Sequence, residues 1–490
     1  MKRQPGLSLV FGASGYIGGH LVPRLLAAGR EVRAVARDAA SLDRPGWEHV
    51  ERVSADALRP ETLDAALAGV ATAYYLVHSM GAGKDFGRLD LECADNFAAA
   101  AARAGVRRIV YLGGLIPADA HSEHLVSRKE TGDRLRAGRV PVTEIRAGII
   151  VGPGSAAFEV IRDLVNALPG MLTPRWVRAK TPPIALDNLL EYLVRIPEHP
   201  SAANAVLDAA GPEQLSYEEL MRGFGELVGR KPLILPVPVL TPTLSSYWLG
   251  LVTTVPTSVA RALIGGLAHD IHANPEPLRK LVPQRLLTYR ESVTAALEAE
   301  RRNAVTARWT EGALMYRNYR QDYAFYAKRS SGNAIADASP EDVWQVVTAI
   351  GGRNRYYALD FLWTLRELAD WFVGGPGLSR GRRNVRELRV GDTVDSWQVI
   401  GLEPGRRLTL LFGMKAPGAG ILEFEVEPEG EGARVTATAY WHPRGAWGLL
   451  YWYPLAPFHG LIFERMTQAI ARRAERGEAV SLAAGEEPGG

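Results

Sequence analysis

Only one cysteine, Cys93, stands in 490 residues. A lone thiol forms no internal disulfide, and thiolate metal centres need several such ligands, so the chain reads as a protein of a reducing, cytoplasmic compartment. An excess of either charge is also missing: 57 Lys and Arg against 54 Asp and Glu leave a net charge of +3. Without a basic run of the kind that follows a phosphate backbone, nucleic acid is excluded as an expected partner. Uninterrupted apolar runs of membrane-spanning length are absent too. The stretches Tyr247 to Val252 and Val255 to Leu267 are broken by Pro256 and Arg261, which points to a lobe helix or cofactor wall ahead of a membrane-surface contact. The basic N-terminus, Met1-Lys2-Arg3-Gln4-Pro5-Gly6, leads through a short apolar run into a glycine cluster with no cleavage site, so no signal peptide is expected.

What is present is a well-cored composition, 47% apolar, in a length that suits two large domains or about three ordinary ones. From Leu7 to about Arg146, short β-rich runs (Leu7 to Phe11, Glu31 to Ala36, His49 to Val53, Ala73 to Val77, Arg108 to Leu112, Val142 to Arg146) alternate with Ala- and Leu-rich helical segments. Several of those helices close on Gly29, Gly69 and Gly105. That alternation predicts an α/β domain with a doubly wound, Rossmann-type parallel sheet. Residues 148 to 300 turn irregular and Pro-rich and are expected to form a substrate lobe completing a domain over 1–300. A charged stretch over 301–315 reads as a linker. Beyond it the aromatic content rises: eight of the eleven tryptophans and nine of the seventeen tyrosines lie after residue 308. Here one strand-rich opening, a helix from Ser339-Pro340, an amphipathic segment Trp363 to Phe372, four antiparallel strand candidates and a long helix from about Leu455 to Arg473 predict an α+β helix-grip domain over 316–475. The tail, 476–490, is expected to be disordered.

Directly after the first strand, Gly12-Ala13-Ser14-Gly15-Tyr16-Ile17-Gly18 opens the first helix. In that context Gly12 permits the tight turn, Gly15 lets backbone approach a pyrophosphate, Gly18 lets helix and strand pack closely, and the helix N-terminus supplies N–H donors. Where a NAD-selective site ends its second strand with an acid, this chain has Arg33-Ala34-Val35-Ala36-Arg37. Arg37, backed by Arg33, matches a 2′-phosphate and favours NADP(H). Asp56 and Ala57 follow the third strand; Asp56 is placed either to hold the adenine amino group or to cap the next turn.

These residues resemble the extended and atypical short-chain dehydrogenase/reductase superfamily, nearest its NmrA-like NAD(P)-binding branch. The runs Arg108-Ile109-Val110-Tyr111-Leu112-Gly113-Gly114-Leu115 and Thr143 to Gly152 add to the likeness, which spans roughly residues 5 to 300. The remainder, about 316 to 475, is similar to a DUF2867-type domain, expected to share the helix-grip fold of START-like lipid-binding modules. Ser245 to Thr253 is likewise similar to the corresponding stretch of long proteins that join the two domains.

In that superfamily a Tyr four residues before a Lys serves as acid, and a Ser or Thr after the fifth strand orients the carbonyl. This chain departs twice: four residues before Lys129 stands Leu125, and the serine position reads Gly113-Gly114. Three readings stay open. Lys129, with Ser127, binds the ribose and donates a proton; His78, followed by Ser79 at the carboxyl edge of the sheet, serves as acid or orienting group beside the nicotinamide; or the nucleotide is bound without turnover. The pairs His121/His124 and His269/His272 have helical i, i+3 spacing but no third well-spaced ligand, so no metal is expected. Trp447 to Leu455 is expected to wall a cavity for a hydrophobic ligand such as a lipid, isoprenoid, quinone or polyketide-like compound, in preference to a membrane surface. The reading is an NADPH-dependent oxidoreductase of a hydrophobic small molecule. Its alternatives are a nucleotide-sensing scaffold and a lipid-binding module.

Overall fold

The computed structural model describes residues 6–44, 46–77, 86–116, 123–168, 170–237, 270–301, 327–372, 388–389 and 391–477. The chain divides into two units, Met1–Thr310 and Glu311–Gly490.

In the first unit, strands β1 (Ser8–Phe11), β2 (Val32–Ala36), β3 (Glu51–Ser54), β4 (Thr72–Tyr75), β5 (Arg108–Gly114), β6 (Val142–Ala147) and β7 (Val206–Ala209) form one sheet. Its order is β7-β6-β5-β4-β1-β2-β3, and every pair is parallel. The order reverses at β1 and β4, which places the ligand crevice of a doubly wound sheet at their carboxyl ends. Helices α1 (Tyr16–Ala27), α2 (Leu63–Leu67), α3 (Phe86–Arg103) and α4 (Glu123–Ala137) supply the crossovers. They pack because strands buried on both faces are nearly all apolar: Leu9, Val10, Ala34, Val35, Ile109 and Val110 are fully buried. The third strand begins two residues later than expected, because Val50 N–H closes a turn onto the Trp47 carbonyl.

The segment after β6 is not a lobe standing wholly apart. Helix α5 (Ala156–Ala167) leads away from the sheet, but α6 (Leu186–Arg195) returns to pack on α1 and β7 extends the sheet edge. Helix α7 (Tyr217–Leu227) starts at Ser216, whose hydroxyl accepts from Glu219 N–H while the Glu219 carboxylate accepts from Ser216 N–H. With α8 (Glu276–Leu281) and α9 (Tyr289–Arg301) these elements complete the unit; Phe158, Leu220, Phe224 and Val293 form a core of their own.

The second unit is a six-stranded antiparallel sheet, β8 (Lys328–Ala336), β9 (Thr393–Val394), β10 (Trp397–Glu403), β11 (Arg407–Phe412), β12 (Gly418–Glu429) and β13 (Gly432–Pro443), in the order β8-β13-β12-β11-β10-β9. Against it lie α10 (Pro340–Thr348), capped by the Ser339 hydroxyl, α11 (Asp360–Phe372) and the 31-residue α12 (Gly445–Glu475). Gly332 of β8 allows this: a Cβ there would stand 2.3 Å from the Glu464 nitrogen. The last helix starts ten residues before the expected Leu455 and runs through Pro454 and Pro457. The linker over 302–315, Ser245 to Thr253 and the tail from 478 lie outside the described residues.

Candidate nucleotide site

Gly12 has φ +92°, and a Cβ on it would meet Val77 Cγ2 at 3.0 Å and the Leu76 backbone at 3.2 Å. The backbone N–H groups of Gly12 and Ala13 both donate to the Val35 carbonyl at 3.0 Å, tying the turn to β2. Gly15 caps α1, and its N–H donates to Gly12 O at 3.0 Å. Gly18 carries the tightest requirement: a Cβ would lie 2.4 Å from Gly12 O and 2.7 Å from Ala13 Cα. Gly15 faces solvent and its Cβ would meet only Gly12 O, at 3.2 Å, so the space above it is left to a ligand. The first-turn amides of Tyr16 and Ile17 have no intrahelical acceptor and sit at the positive end of the helix dipole. Ser14 is half-buried, and its carbonyl accepts from Arg44 Nη2 at 2.6 Å. Sequence spacing gave no sign of Arg44, which the fold brings to the turn from the loop after β2 and seats over Trp47 at 5.2 Å. Next to it, buried His20 is held neutral, its pKa lowered to about 4 by burial first, then by Arg44 and Arg24.

Arg37 follows β2 directly and is exposed, and among the described residues no side chain pairs with its guanidinium. Arg33 does not back it. Its side chain donates to the carbonyls of Ala66 at 2.6 Å and Ala68 at 2.8 Å and pairs with Glu51 at 2.8 Å, because a side chain four residues earlier on the strand lies at the opposite end. Of the two roles open to Asp56, the structure contains the cap: Asp56 Oδ1 accepts from Leu58 N–H at 3.0 Å. Ala57 is buried and its carbonyl accepts from Asn96 Nδ2 at 2.8 Å.

At the carboxyl end of β5 a carboxylate fills the space beside two glycines. A Cβ on Gly113 would stand 2.8 Å from Glu144 Oε1 and one on Gly132 2.6 Å from Glu144 Oε2. Glu144 is buried on β6 and pairs with Arg136 and with Arg146 at 2.8 Å. The two glycines make room for this carboxylate. Ser127 is buried and its hydroxyl donates to Asp90 at 3.1 Å, joining α4 to α3. Lys129 is exposed on α4. The cation that reaches the sheet edge is its neighbour Arg128, whose Nη2 donates to Leu112 O at 2.7 Å and whose Nε lies 3.5 Å from a Cβ placed on Gly114. That Nε is buried without an acceptor among the described residues. Its position next to a suitable lysine in sequence hid it. His78, Ser79, His121 and His269 lie outside the described residues, as does the His124 side chain. No group of three potential metal ligands occurs among the described residues.

Residues 12–143 match the family described as NAD(P)H-binding. This stretch of the N-terminal unit is an NAD(P)H-binding domain. Residues 323–466 match a protein family of unknown function, DUF2867. A ceramide reductase of Caulobacter vibrioides is 27% identical over 293 residues, covering 57% of this chain and 90% of the relative. A UDP-glucose 4-epimerase of Vibrio cholerae is 24% identical over 344 residues, covering 61% and 98%. Among solved structures, the triphenylmethane reductase of a Citrobacter species superposes with a TM-score of 0.50 at 20% identity, over 60% of this chain and 99% of that one. The NAD(P)H-binding domain thus shares its doubly wound parallel-sheet fold with that reductase. No helix among the described residues is long and apolar enough to cross a membrane.

Proposed function

We propose that this chain is an NADPH-dependent reductase of a hydrophobic small molecule. The observation that carries the reading is the pairing of a pyrophosphate-shaped turn, closed by Gly18 and open above Gly15, with Arg37, an exposed guanidinium at the end of β2 that no described side chain engages. A 2′-phosphate supplies the bidentate acceptor such a group fits. When bound, NADPH supplies the hydride. Around it this chain's residues orient and protonate: Arg128 polarises the acceptor group at the edge of β5, and Lys129 or His78 delivers the proton. The second unit, which holds seven of the eleven tryptophans, binds an apolar ligand. The ceramide reductase of Caulobacter vibrioides among its relatives supports a lipid-class substrate.

The test is a fluorescence titration of the full chain with NADPH and NADH, in wild type and Arg37→Ala. A charge-assisted pair is worth about 1.5–3 kcal/mol, so NADPH binding should weaken roughly 10- to 150-fold while NADH binding holds. Equal loss of both nucleotides, or of neither, would refute the NADPH assignment. A second reading, nucleotide sensing without turnover, draws on Glu144 occupying the space beside Gly113 where a catalytic serine would stand. NADPH consumption with an apolar carbonyl or imine substrate sinks it.

A further inference from the structure

Helix α12 changes character halfway along. From Ala446 to Phe463 it contains no Asp, Glu, Lys or Arg. Its inward residues Leu449, Trp452, Ile462 and Phe463 are buried, yet its outward stripe is apolar as well: Trp447 is 75% exposed, Leu450 62%, Phe458 53% and Leu461 45%. In the next turns the same stripe reads Arg465, Gln468 and Arg472, as expected of a helix with one wet face. Helix α11 repeats the pattern. Phe361, Leu365, Leu368 and Phe372, at helical spacing, are exposed, with Trp371 at 58% and Phe372 at 85%, while its carboxylates Glu367 and Asp370 are turned inward and buried. One loop joins the two faces: Lys415 N–H donates to Asp370 Oδ1 at 2.6 Å, and Arg444 N–H donates to Pro417 O at 3.0 Å. Lys415 and Arg444 are both exposed there.

We propose that these two faces form a docking surface for the headgroup region of an anionic phospholipid bilayer. Isolated exposed apolar side chains need no explanation, but nine large ones gathered on two helices of one small unit do. The composition selects the occupant. Tryptophan and phenylalanine are suited to the interface, where an aromatic body meets acyl chains and polar neighbours stay wet, and neither helix is apolar enough to cross. Lysine and arginine at the loop, with no exposed carboxylate on α11 after Asp360 or on α12 before Glu464, complement a negatively charged surface. The attachment is independent of nucleotide binding and goes beyond the proposed reductase activity: it would hold the chain where lipid-class substrates partition.

The experiment is flotation of the full chain with phosphatidylcholine vesicles, alone or with phosphatidylglycerol, for wild type, Trp447→Ser/Leu450→Ser/Phe458→Ser, and Gln468→Ser as a control on the polar half. Wild type and the control should float with the phosphatidylglycerol vesicles, more weakly at high salt. The triple variant should bind roughly tenfold less or worse, with an unchanged circular-dichroism spectrum and unchanged NADPH titration. Absence of wild-type binding, or undiminished binding by the triple variant, overturns the proposal. So does a concentration-dependent dimer in sedimentation that the triple variant abolishes, since the faces would then be covered by a second copy. If the triple variant misfolds, Lys415→Glu/Arg444→Glu decides: binding to anionic vesicles should fall, and unchanged binding overturns the proposal. NADPH binding is read separately, so a failed reductase assignment leaves this result intact.

Discussion

The turn after β1 and the edge after β5 lie along the same side of one parallel sheet, but they are built by different means. At the turn, backbone does the work: Gly12, Gly15 and Gly18 are constrained by atoms within six residues of one another and by the neighbouring strands. At the edge, long side chains do it: Glu144 from β6 meets Arg136 from α4 and Arg146, and Arg128 reaches back to Leu112. A turn of the first kind is written in local spacing. An edge of the second kind depends on which side chains the fold carries together, and a one-residue shift along α4 exchanges Arg128 for Lys129.

The sharpest way to break that contrast is at the turn. Gly18→Val would drive a branched side chain into Gly12 O and Ala13 Cα, backbone atoms that cannot swing away. Overpacking with backbone displacement should cost about 3 kcal/mol or more, and the thermal midpoint of the first unit should fall accordingly. A midpoint within a degree or two of wild type would show that the helix moves aside and that close packing is not what Gly18 provides.

At the edge the expected loss is smaller and distributed. Glu144→Ala removes the carboxylate between Arg136 and Arg146, both about a quarter exposed at 21% and 27%. Because water screens both cations, a loss of about 2 kcal/mol is expected, below the 3–5 kcal/mol of a fully buried pair. The same substitution clears the space beside Gly113. Gly113→Ser should therefore destabilise the wild type by about 1–2 kcal/mol and the Glu144→Ala background measurably less, a coupling read by a double-mutant cycle. Additive effects would mean that Glu144 is not what excludes a serine.

Such coupling marks what the sequence could and could not disclose. Six parallel strands of a doubly wound sheet and the fingerprint were legible because a parallel sheet buried on both faces repeats its apolar pattern, and because strand, glycine turn and helix follow one another without a gap; the seventh strand, Val206–Ala209, was not, since it lies in the irregular stretch read as a lobe. Arg37 was legible as the residue that follows β2. The role of Arg33 was not, since its partners Ala66, Ala68 and Glu51 lie on other elements. Ser127 looked available from its place before Lys129, but only the packing of α4 on α3 shows it bonded to Asp90. In the second unit the long helix was expected only from about Leu455, whereas it begins at Gly445, continues through Pro454 and Pro457 and carries Trp447 and Leu450 outward. An aromatic run has the same letters whether it lines an interior or meets a surface; only its direction tells.

The turn also carries a pH dependence. His20 has its pKa lowered from 6.5 to about 4 in the folded chain, chiefly by burial. The unfolded chain therefore binds the extra proton between those values, and stability falls as pH drops from about 6.5 towards 4, then levels below it. The slope should amount to about 1–3 kcal/mol across the window. His20→Gln, which keeps a polar side chain without titrating, should flatten that part of the stability profile in denaturant titrations at pH 4.5 and 7. An unchanged slope would assign the acid sensitivity to other groups.

The smallest effect on stability should come from Gly15→Ala, and for that reason it separates fold from function most cleanly. Gly15 already has φ −72°, so alanine adopts its backbone, and the added Cβ meets only Gly12 O at 3.2 Å. Stability should stay within about 0.5 kcal/mol of wild type. Yet the methyl group projects into the open side of the turn, where a pyrophosphate must approach the backbone closely. NADPH affinity should fall roughly tenfold or more with no change in unfolding midpoint. The opposite result, a destabilised fold that still binds nucleotide normally, would mean that Gly15 serves the packing of α1, as Gly18 does, and that the nucleotide lies elsewhere along the sheet.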